Sequence, residues 1–329
     1  MMTLILTLTL AALTQDTPVK LGTLAPEGSP WHTIIQDMGA EWKKTLDQKL
    51  EFKIFAGGSI GDEPDLVRKM RVGQLHAAAL TGFGLAEIAP EIMTIQLPLL
   101  LRTDEELDFV RERMAPQFEA ILLKKGFVVL NWGEAGWVHF FGKQPLVRVG
   151  DLAKLKLAVW GGNAGELAAW KNVGANPVPL AAPDMHSALK TGLVTAFSTT
   201  PLAALSFQWF GQAKEMSDMK WAPLIGATVI TEKQWKLLPD NAKPALLQSA
   251  QAAGVKFRRE TRKQSATALL EMKKFGLTVH AVPPDALAEW EKQARIAWPE
   301  LMGKSYPPNL VLQIEALRDH YRAQNGPAK

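Results

Sequence analysis

The residue types that most often carry catalysis or bind metals are scattered or absent in this chain. Its six histidines are dispersed over 329 residues, and none belongs to a His-Glu-x-x-His pattern, which would place two metal ligands on one helix face. The chain has no cysteine, which excludes thiolate metal sites, a cysteine nucleophile, disulfides and a lipid anchor on an N-terminal cysteine. The sequence therefore predicts a protein that is not an enzyme and that needs no metal and no cofactor.

Glycines and acidic residues that resemble catalytic motifs have simpler structural explanations. Gly57, Gly58 and Gly61 form a glycine-rich loop, but the lysine and hydroxyl of a phosphate-binding loop are missing. Tight backbone turns before a helix explain these glycines better. Glu105 and Glu106 stand in a predicted first helical turn, where the helix dipole favours negative charge.

The charge pattern argues against a nucleic-acid partner. The chain carries 37 basic and 33 acidic residues, a net charge of +4, without a run of five or six like charges. The densest basic stretch, residues 256–263, is interrupted by Glu260 and has helical spacing, which is typical of a solvated helix face. With 47% hydrophobic and 21% charged residues, the composition is that of a soluble globular protein with enough chain for two lobes.

The N-terminus predicts export. Residues 4–13 form an apolar run that is too short to span a bilayer, which takes about 20 helical residues. A polar segment, residues 14–16, follows this run. We interpret residues 1–14 as a signal peptide and expect the mature protein to be soluble in the periplasm.

The chain then alternates between β-prone runs and amphipathic helical stretches, which predicts an α/β fold. Strands are expected at residues 19–24, 50–55, 77–80, 127–132, 138–141, 156–160, 176–179, 196–199 and 225–231. The alternation restarts after Gly133, which indicates a second lobe. Residues 240–275 contain no proline after Pro244 and predict a helix long enough to cross both lobes. Two further helices are expected within residues 285–324.

A series of short fragments resembles one family of transport proteins. These fragments are GGSIGDE (57–63), VGQL (72–75), LPLLLR (97–102), GEAG (133–136), DLAKLKL (151–157), GANPVP (174–179), ALKTGLV (188–194) and WKLLP (235–239). Their order and spacing over roughly residues 18–280 resemble the solute-binding proteins of tripartite ATP-independent periplasmic (TRAP) transporters, the DctP family.

The resemblance implies a type II periplasmic binding protein, in which two hinged α/β lobes close over a small-molecule ligand and deliver it to membrane permease subunits. We expect one lobe to comprise residues 18–137 and 225–258, and the other to comprise residues 138–224 and 259–329. The long helix is expected to span both lobes.

Three positions depart from the family pattern. The resemblance implies an arginine on the strand at 156–159, because a guanidinium offers two parallel donors to a ligand carboxylate. That position is Ala158 here. A second basic position, after a Gly-aromatic pair, is Val138, and an asparagine that would face the ligand is Thr200. A carboxylate would therefore be left without a partner at these positions.

These substitutions predict a hydrophobic or uncharged ligand. Burying an unpaired carboxylate costs several kcal/mol, whereas about 300 Å² of apolar ligand surface is worth roughly 7 kcal/mol before the costs of association. Aromatic walls suit such ligands. Tryptophans concentrate in the part of the chain that should form the cleft, and each is by default a core residue. Trp137 and Trp160 are the best candidates for ligand contact because of their motif neighbours, whereas Trp170 is assigned to the core.

The predicted ligand-facing residues combine these positions with nearby polar and aromatic groups. They are Ser59, Thr81, Glu134, Trp137, Val138, Ala158, Trp160, Asn163, Phe197, Thr200 and Trp221. Two alternatives remain open. A carboxylate could be held by another base, such as Arg102 or Lys171, or the protein could be a carrier of hydrophobic ligands that works with a soluble periplasmic partner.

Overall fold

The computed structural model describes residues 17–160, 164–302 and 308–326. The predicted signal peptide 1–14 and Asn163 lie outside the described residues. The strands are β1 Thr17–Thr23, β2 Leu50–Phe55, β3 Ala77–Thr81, β4 Phe127–Gly142, β5 Lys156–Trp160, β6 Asn176–Leu180, β7 Ala196–Thr199, β8 Glu215–Ser217, β9 Ala222–Thr231 and β10 Thr278–His280. The α-helices are α1 Pro30–Thr45, α2 Glu63–Arg71, α3 Gly82–Ala86, α4 Asp104–Lys124, α5 Ala164–Asn172, α6 Met185–Thr191, α7 Pro201–Ser206, α8 Glu232–Leu237, α9 Lys243–Lys274, α10 Pro284–Met302 and α11 Pro308–Asn325.

The strands form a mixed sheet in the order β2-β1-β3-β9-β4-β7-β5-β6, with β8 beside β4 and β10 beside β8. In the first lobe β1 is parallel to β2 and β3. In the second lobe β5 is parallel to β6 and β7. The central strands β4 and β9 are antiparallel to each other and connect the two halves. The predicted α/β fold with two lobes is therefore confirmed.

Strand β4 is one continuous strand, whereas the sequence predicted separate strands at 127–132 and 138–141. It pairs with β9 from Phe127 as far as Val138, and its last four residues pair with β7. The register shifts between Glu134 and Gly136, and Gly136 has a φ of 105°. The glycines therefore permit a β-bulge that bends the strand instead of ending it.

The long helix α9 confirms the helix predicted at 240–275. It packs against α1, β4 and α7. Leu246 and Phe257 join a core cluster with α1, whereas Met272 joins the core of the second lobe with Phe141 and Phe197. Its 32 residues are about 48 Å long at 1.5 Å per residue, which is enough to contact both lobes.

The C-terminal helices pack on both lobes, and α10 contacts each of them, since its Trp298 lies in the first-lobe core. Helix α10 packs against α5, and its Trp290 is buried in the second-lobe core. Helix α11 packs against α4, and its Leu310 and Ile314 join the core of the first lobe. The expected division, which placed all of residues 259–329 in the second lobe, stays a prediction. Helix α11, which belongs to that range, packs on the first lobe.

Within residues 17–160, 164–302 and 308–326, no helix is both long and apolar enough to cross a membrane.

Gly254 allows α9 to approach β4 closely. A Cβ atom at this position would lie 2.7 Å from the carbonyl oxygen of Trp132 and 2.8 Å from the Cβ of Asn131. We predict that Gly254→Ala lowers the free energy of unfolding by about 1–2 kcal/mol, because overpacking exceeds the gain of about 1 kcal/mol in helix propensity. Gly150→Ala is the control, since a Cβ there meets nothing within 4 Å. Urea denaturation measures both variants, and equal stability of the two would contradict the prediction.

Candidate functional site

A cavity of about 560 Å³ lies between the two lobes; it is named the cleft cavity. Its first-lobe wall includes Thr23, Trp31, Glu63, Thr81, Phe83 and Gln96. Its second-lobe wall includes Ala158, Trp160, Glu166, Trp170, Phe207 and Trp209. Strands β4 and β9 contribute Glu134, Val138, Ala222 and Ile225. This volume falls within the range of about 300–1,000 Å³ that is typical of small-molecule sites.

Aromatic side chains form two groups in the second-lobe wall. In one group, Trp209 stacks on Trp160 with ring centroids 5.6 Å apart and on Phe207 with centroids 4.6 Å apart. In the other group, the rings of Trp170 and Trp221 lie 5.6 Å apart. These flat apolar surfaces are held by their neighbours, so they can contact a ligand at little cost in side-chain entropy.

Six of the predicted ligand-facing residues line the cleft cavity. They are Thr81, Glu134, Val138, Ala158, Trp160 and Trp221. The Trp160 indole donates to the carbonyl of Ser198, which fixes the ring at the end of β5. Ala158, where the resemblance implied an arginine, lies on the same strand and is buried.

Four other predicted residues do not line the cavity. The Trp137 indole donates to Asp104, 2.7 Å away, and its ring belongs to the first-lobe core. Phe197 is fully buried against Phe141 and Trp209. Thr200 is also fully buried, and its hydroxyl accepts from the backbone N–H of Ala203 as the N-cap of α7. These side chains support the wall from behind.

Ser59 is the fourth of these residues. It is exposed in the loop before α2 and is not part of the cavity wall. The segment Gly57-Gly58-Ser59-Ile60-Gly61 has the Gly-x-Ser-x-Gly spacing of a hydrolase nucleophile turn, which follows a strand and opens a helix. In the described part of the chain, no histidine side chain hydrogen-bonds to Ser59, so this spacing does not form a nucleophile with its base.

The sequence missed several wall residues. Trp170 was assigned to the core, whereas it lines the cavity; Trp209, Phe207, Gln96, Glu63 and Glu166 were not proposed. Glu63 and Glu166 each stand in the first turn of a helix, where helix-dipole stabilisation is the ordinary explanation of an acid. Only their position between the lobes shows that these helices begin at the cleft.

A network of buried charges holds β4 where it passes between the lobes. The Arg262 guanidinium donates to both carboxylate oxygens of Glu134, at 2.6 and 2.9 Å, and to Asp108 at 2.7 and 2.8 Å. Arg111 donates to Glu134 at 3.3 Å and also pairs with Asp108. The Glu134 side chain is only 2% exposed. Glu134 was predicted to face the ligand, but these arginines already neutralise its carboxylate.

Two other wall carboxyl groups have no basic partner among the described residues. The Glu63 carboxylate accepts from the backbone N–H and hydroxyl of Thr81, each at 2.6 Å, and from the N–H of Gly84 at 2.8 Å. Burial nevertheless raises the pKa of Glu63 from 4.5 to about 7. Burial also raises the pKa of Glu166 to about 7, against a smaller opposing effect of its hydrogen bond with the Trp170 side chain.

Asp62 connects the lobes at the edge of the cavity. One carboxylate oxygen caps α2 by accepting from the Glu63 N–H at 2.8 Å, and the other accepts from the Ala182 N–H of the second lobe at 3.0 Å. The lobes are therefore in contact at this point.

No lysine, arginine or histidine occurs in the wall formed by the described residues. The two bases named for an alternative carboxylate site lie elsewhere. Arg102 pairs with Glu291 in a separate small pocket, and Lys171 is exposed on α5 outside the wall. The wall therefore offers a ligand aromatic surface, backbone groups, amides and carboxyl groups.

Comparison with known proteins agrees with the architecture. Residues 21–305 match the family model for bacterial extracellular solute-binding proteins, family 7, abbreviated DctP. A solute-binding protein of Roseobacter denitrificans is 25% identical over 251 residues, which are 74% of this chain and 75% of that protein.

Two solved structures of TRAP periplasmic solute-binding proteins are similar in fold. One, from Sulfurospirillum deleyianum with bound succinate, has a TM-score of 0.84 at 21% identity and covers 92% of this chain and 99% of its own. The other, from Ralstonia eutropha with bound (S)-2-acetolactate, has a TM-score of 0.86 at 19% identity with the same coverage. At these identities the likeness shows the fold alone.

The raised pKa of Glu63 predicts a pH-dependent stability. Because its folded pKa of about 7 exceeds its ordinary value of 4.5, its contribution to stability is most favourable below about pH 4.5 and is lost as the pH rises through 7. Relative to wild type, we expect the free energy of unfolding of Glu63→Gln to increase by on the order of 2 kcal/mol as the pH rises from about 5 to 7.5. Urea titrations at several pH values measure this difference. Glu112 is exposed, so the free energy of unfolding of Glu112→Gln should have the same pH dependence as that of wild type. The same pH dependence in Glu63→Gln would contradict the prediction.

Loss of Arg262 should be costly. Arg262→Met leaves the buried Glu134 carboxylate and Asp108 with Arg111 alone, so we predict a loss of about 3–5 kcal/mol in the free energy of unfolding. Arg259→Met is the matched control, because its side chain is 69% exposed and pairs only with the adjacent Glu260; a change within about 0.5 kcal/mol is expected. Equal stability of the two variants would show that the network does not stabilise β4 where this strand passes between the lobes.

Proposed function

Because the chain belongs to the DctP family of bacterial extracellular solute-binding proteins, we propose that it captures a hydrophobic or uncharged small organic molecule in the cleft cavity. The protein is a solute-binding component of a TRAP-type transporter and delivers this ligand to the membrane permease subunits. We propose that residues 1–14 direct its export to the periplasm.

One observation carries the proposed ligand class: the described wall contains no cationic side chain. The position at which the resemblance implies a carboxylate-binding arginine is Ala158, and Val138, another wall residue, is also apolar. An organic acid bound here would meet Glu63 and Glu166 without a counter-charge, and burying such an unpaired carboxylate costs several kcal/mol.

The aromatic wall supports the same ligand class. The stack formed by Trp160, Trp209 and Phe207 presents a broad apolar surface next to Ala158. Contact over about 300 Å² of apolar ligand surface contributes roughly 7 kcal/mol before the costs of association. Hydrophobic contact can therefore supply affinity without an ion pair.

A carboxylate ligand is the competing proposal, since the relatives described above contain bound succinate and acetolactate. It needs a base, and Arg102 is engaged with Glu291 while Lys171 lies outside the wall. We therefore favour the apolar ligand.

Binding measurements separate the two proposals. Calorimetric titration of the purified protein with succinate and acetolactate should give no saturable heat, whereas native mass spectrometry should detect a co-purified molecule without a carboxylate. Tight binding of either acid would overturn the proposed ligand class.

A tryptophan variant locates the site. Trp160→Leu should weaken binding of the co-purified ligand by about tenfold, because it removes one face of the aromatic wall. Trp235→Leu is the matched control: Trp235 is partly buried against Trp42 and does not line the cavity. Titration of both variants after ligand removal checks this expectation. An equal loss in both variants would argue against the cleft cavity as the site.

A further inference from the structure

The cleft cavity contains an unusual balance of ionisable groups. Its described wall includes five acidic residues and no base; the acids are Asp62, Glu63, Glu87, Glu134 and Glu166. Glu87 is exposed and Glu134 is paired with Arg262 and Arg111, but Glu63 in the first lobe and Glu166 in the second have no basic partner among the described residues. Ionised carboxylates without a counter-charge repel anions and stabilise a positive charge placed between them.

These carboxyl groups differ in how far the protein already satisfies them. Glu134 is neutralised by Arg262 and Arg111. Asp62 accepts from two backbone N–H groups, and Glu63 accepts from Thr81 and Gly84. These acids have structural partners and are therefore weak candidates for a ligand contact.

Glu166 differs because, among the described residues, it has neither an ion pair nor the backbone N–H donors that Asp62 and Glu63 have. Its side-chain hydrogen-bond partner is Trp170, one helical turn further along α5, and both residues line the cavity. Burial raises the pKa of Glu166 to about 7, so its ionised form is poorly compensated by the protein. A cationic group next to Glu166 would restore that balance.

The adjacent indoles favour the same charge. Trp170 lies against Trp221, and Trp160 stacks on Trp209 in the same lobe. The face of an indole ring carries negative electrostatic potential and attracts alkylammonium groups, most strongly when both are removed from water. Aromatic faces combined with a carboxylate bind organic cations and offer nothing comparable to an anion.

We propose that the ligand of the cleft cavity is an apolar organic amine bound in its cationic form, with the ammonium group received by Glu166 and the tryptophan faces of the second lobe. This inference rests on the proposed function, since it takes the apolar, acid-excluding cleft as its site. It adds one positively charged group to an otherwise hydrophobic ligand.

Three probes that share one carbon skeleton test the charge preference directly. Cinnamylamine, cinnamyl alcohol and cinnamate present a cation, a neutral group and an anion on the same apolar body. Each is titrated into the full chain, freed of co-purified ligand, by calorimetry at about pH 8, above the pKa of about 7 for Glu166. We expect the amine to bind at least about tenfold more tightly than the alcohol, and cinnamate to show no binding.

A substitution assigns the preference to one residue. Glu166→Gln keeps the side-chain size and removes the charge, so it should abolish the advantage of the amine while changing the affinity for the alcohol by less than about twofold. The matched control is Glu112→Gln on α4, which is exposed and outside the cavity wall and should keep the wild-type preference. Circular dichroism verifies the fold of both variants. The wild-type probe series tests the charge preference even if Glu166→Gln does not fold.

The outcomes distinguish this inference from the function on which it rests. If the alcohol binds as tightly as the amine, or if Glu166→Gln keeps the amine preference, the inference is overturned while the apolar site stands. If cinnamate binds most tightly, the proposed ligand class itself fails. Amine preference in wild type that is lost only in Glu166→Gln supports the inference.

Discussion

Buried charge at the crossing between the lobes has to be balanced inside the protein, because ions removed from water cost several kcal/mol each unless they are paired. Glu134 lies at the bulge of β4, where the strand leaves the first lobe, and Arg262 and Arg111 neutralise it there. Helix α9 supplies Arg262 from one face and also donates from Arg258 to the carbonyl of Trp132. These contacts attach α9 to β4, the strand that pairs with β9 and connects the two lobes.

The cleft depends on this crossing for its shape. Thr261 of α9 donates to the carbonyl of Glu134 and accepts from the Trp31 indole, so the helix, the bent strand and a wall residue of the first lobe are connected. Asp62 joins the opposite edge by accepting from Ala182. Between these two connections the wall is aromatic in the second lobe and acidic on both sides, and this composition decides which ligands it can hold.

Relatives of similar fold contain bound organic acids, whereas the described wall of this cavity has no base. The two facts are compatible because the fold provides the cleft and the hinge, and individual side chains decide the charge of the ligand. Ala158 contributes an apolar side chain to this wall.

The sequence alone determined the alternating strands and helices and the long α9, because local periodicity and motif spacing encode these features. It predicted a break at Gly133 to Gly136, where the backbone instead forms a bulge within β4. It also placed Trp137 and Thr200 in the site, although core packing and helix capping engage them. Only the tertiary structure decided that Glu63 and Glu166 face one cavity, since the approach of two helix starts from different lobes leaves no periodic signal in the chain.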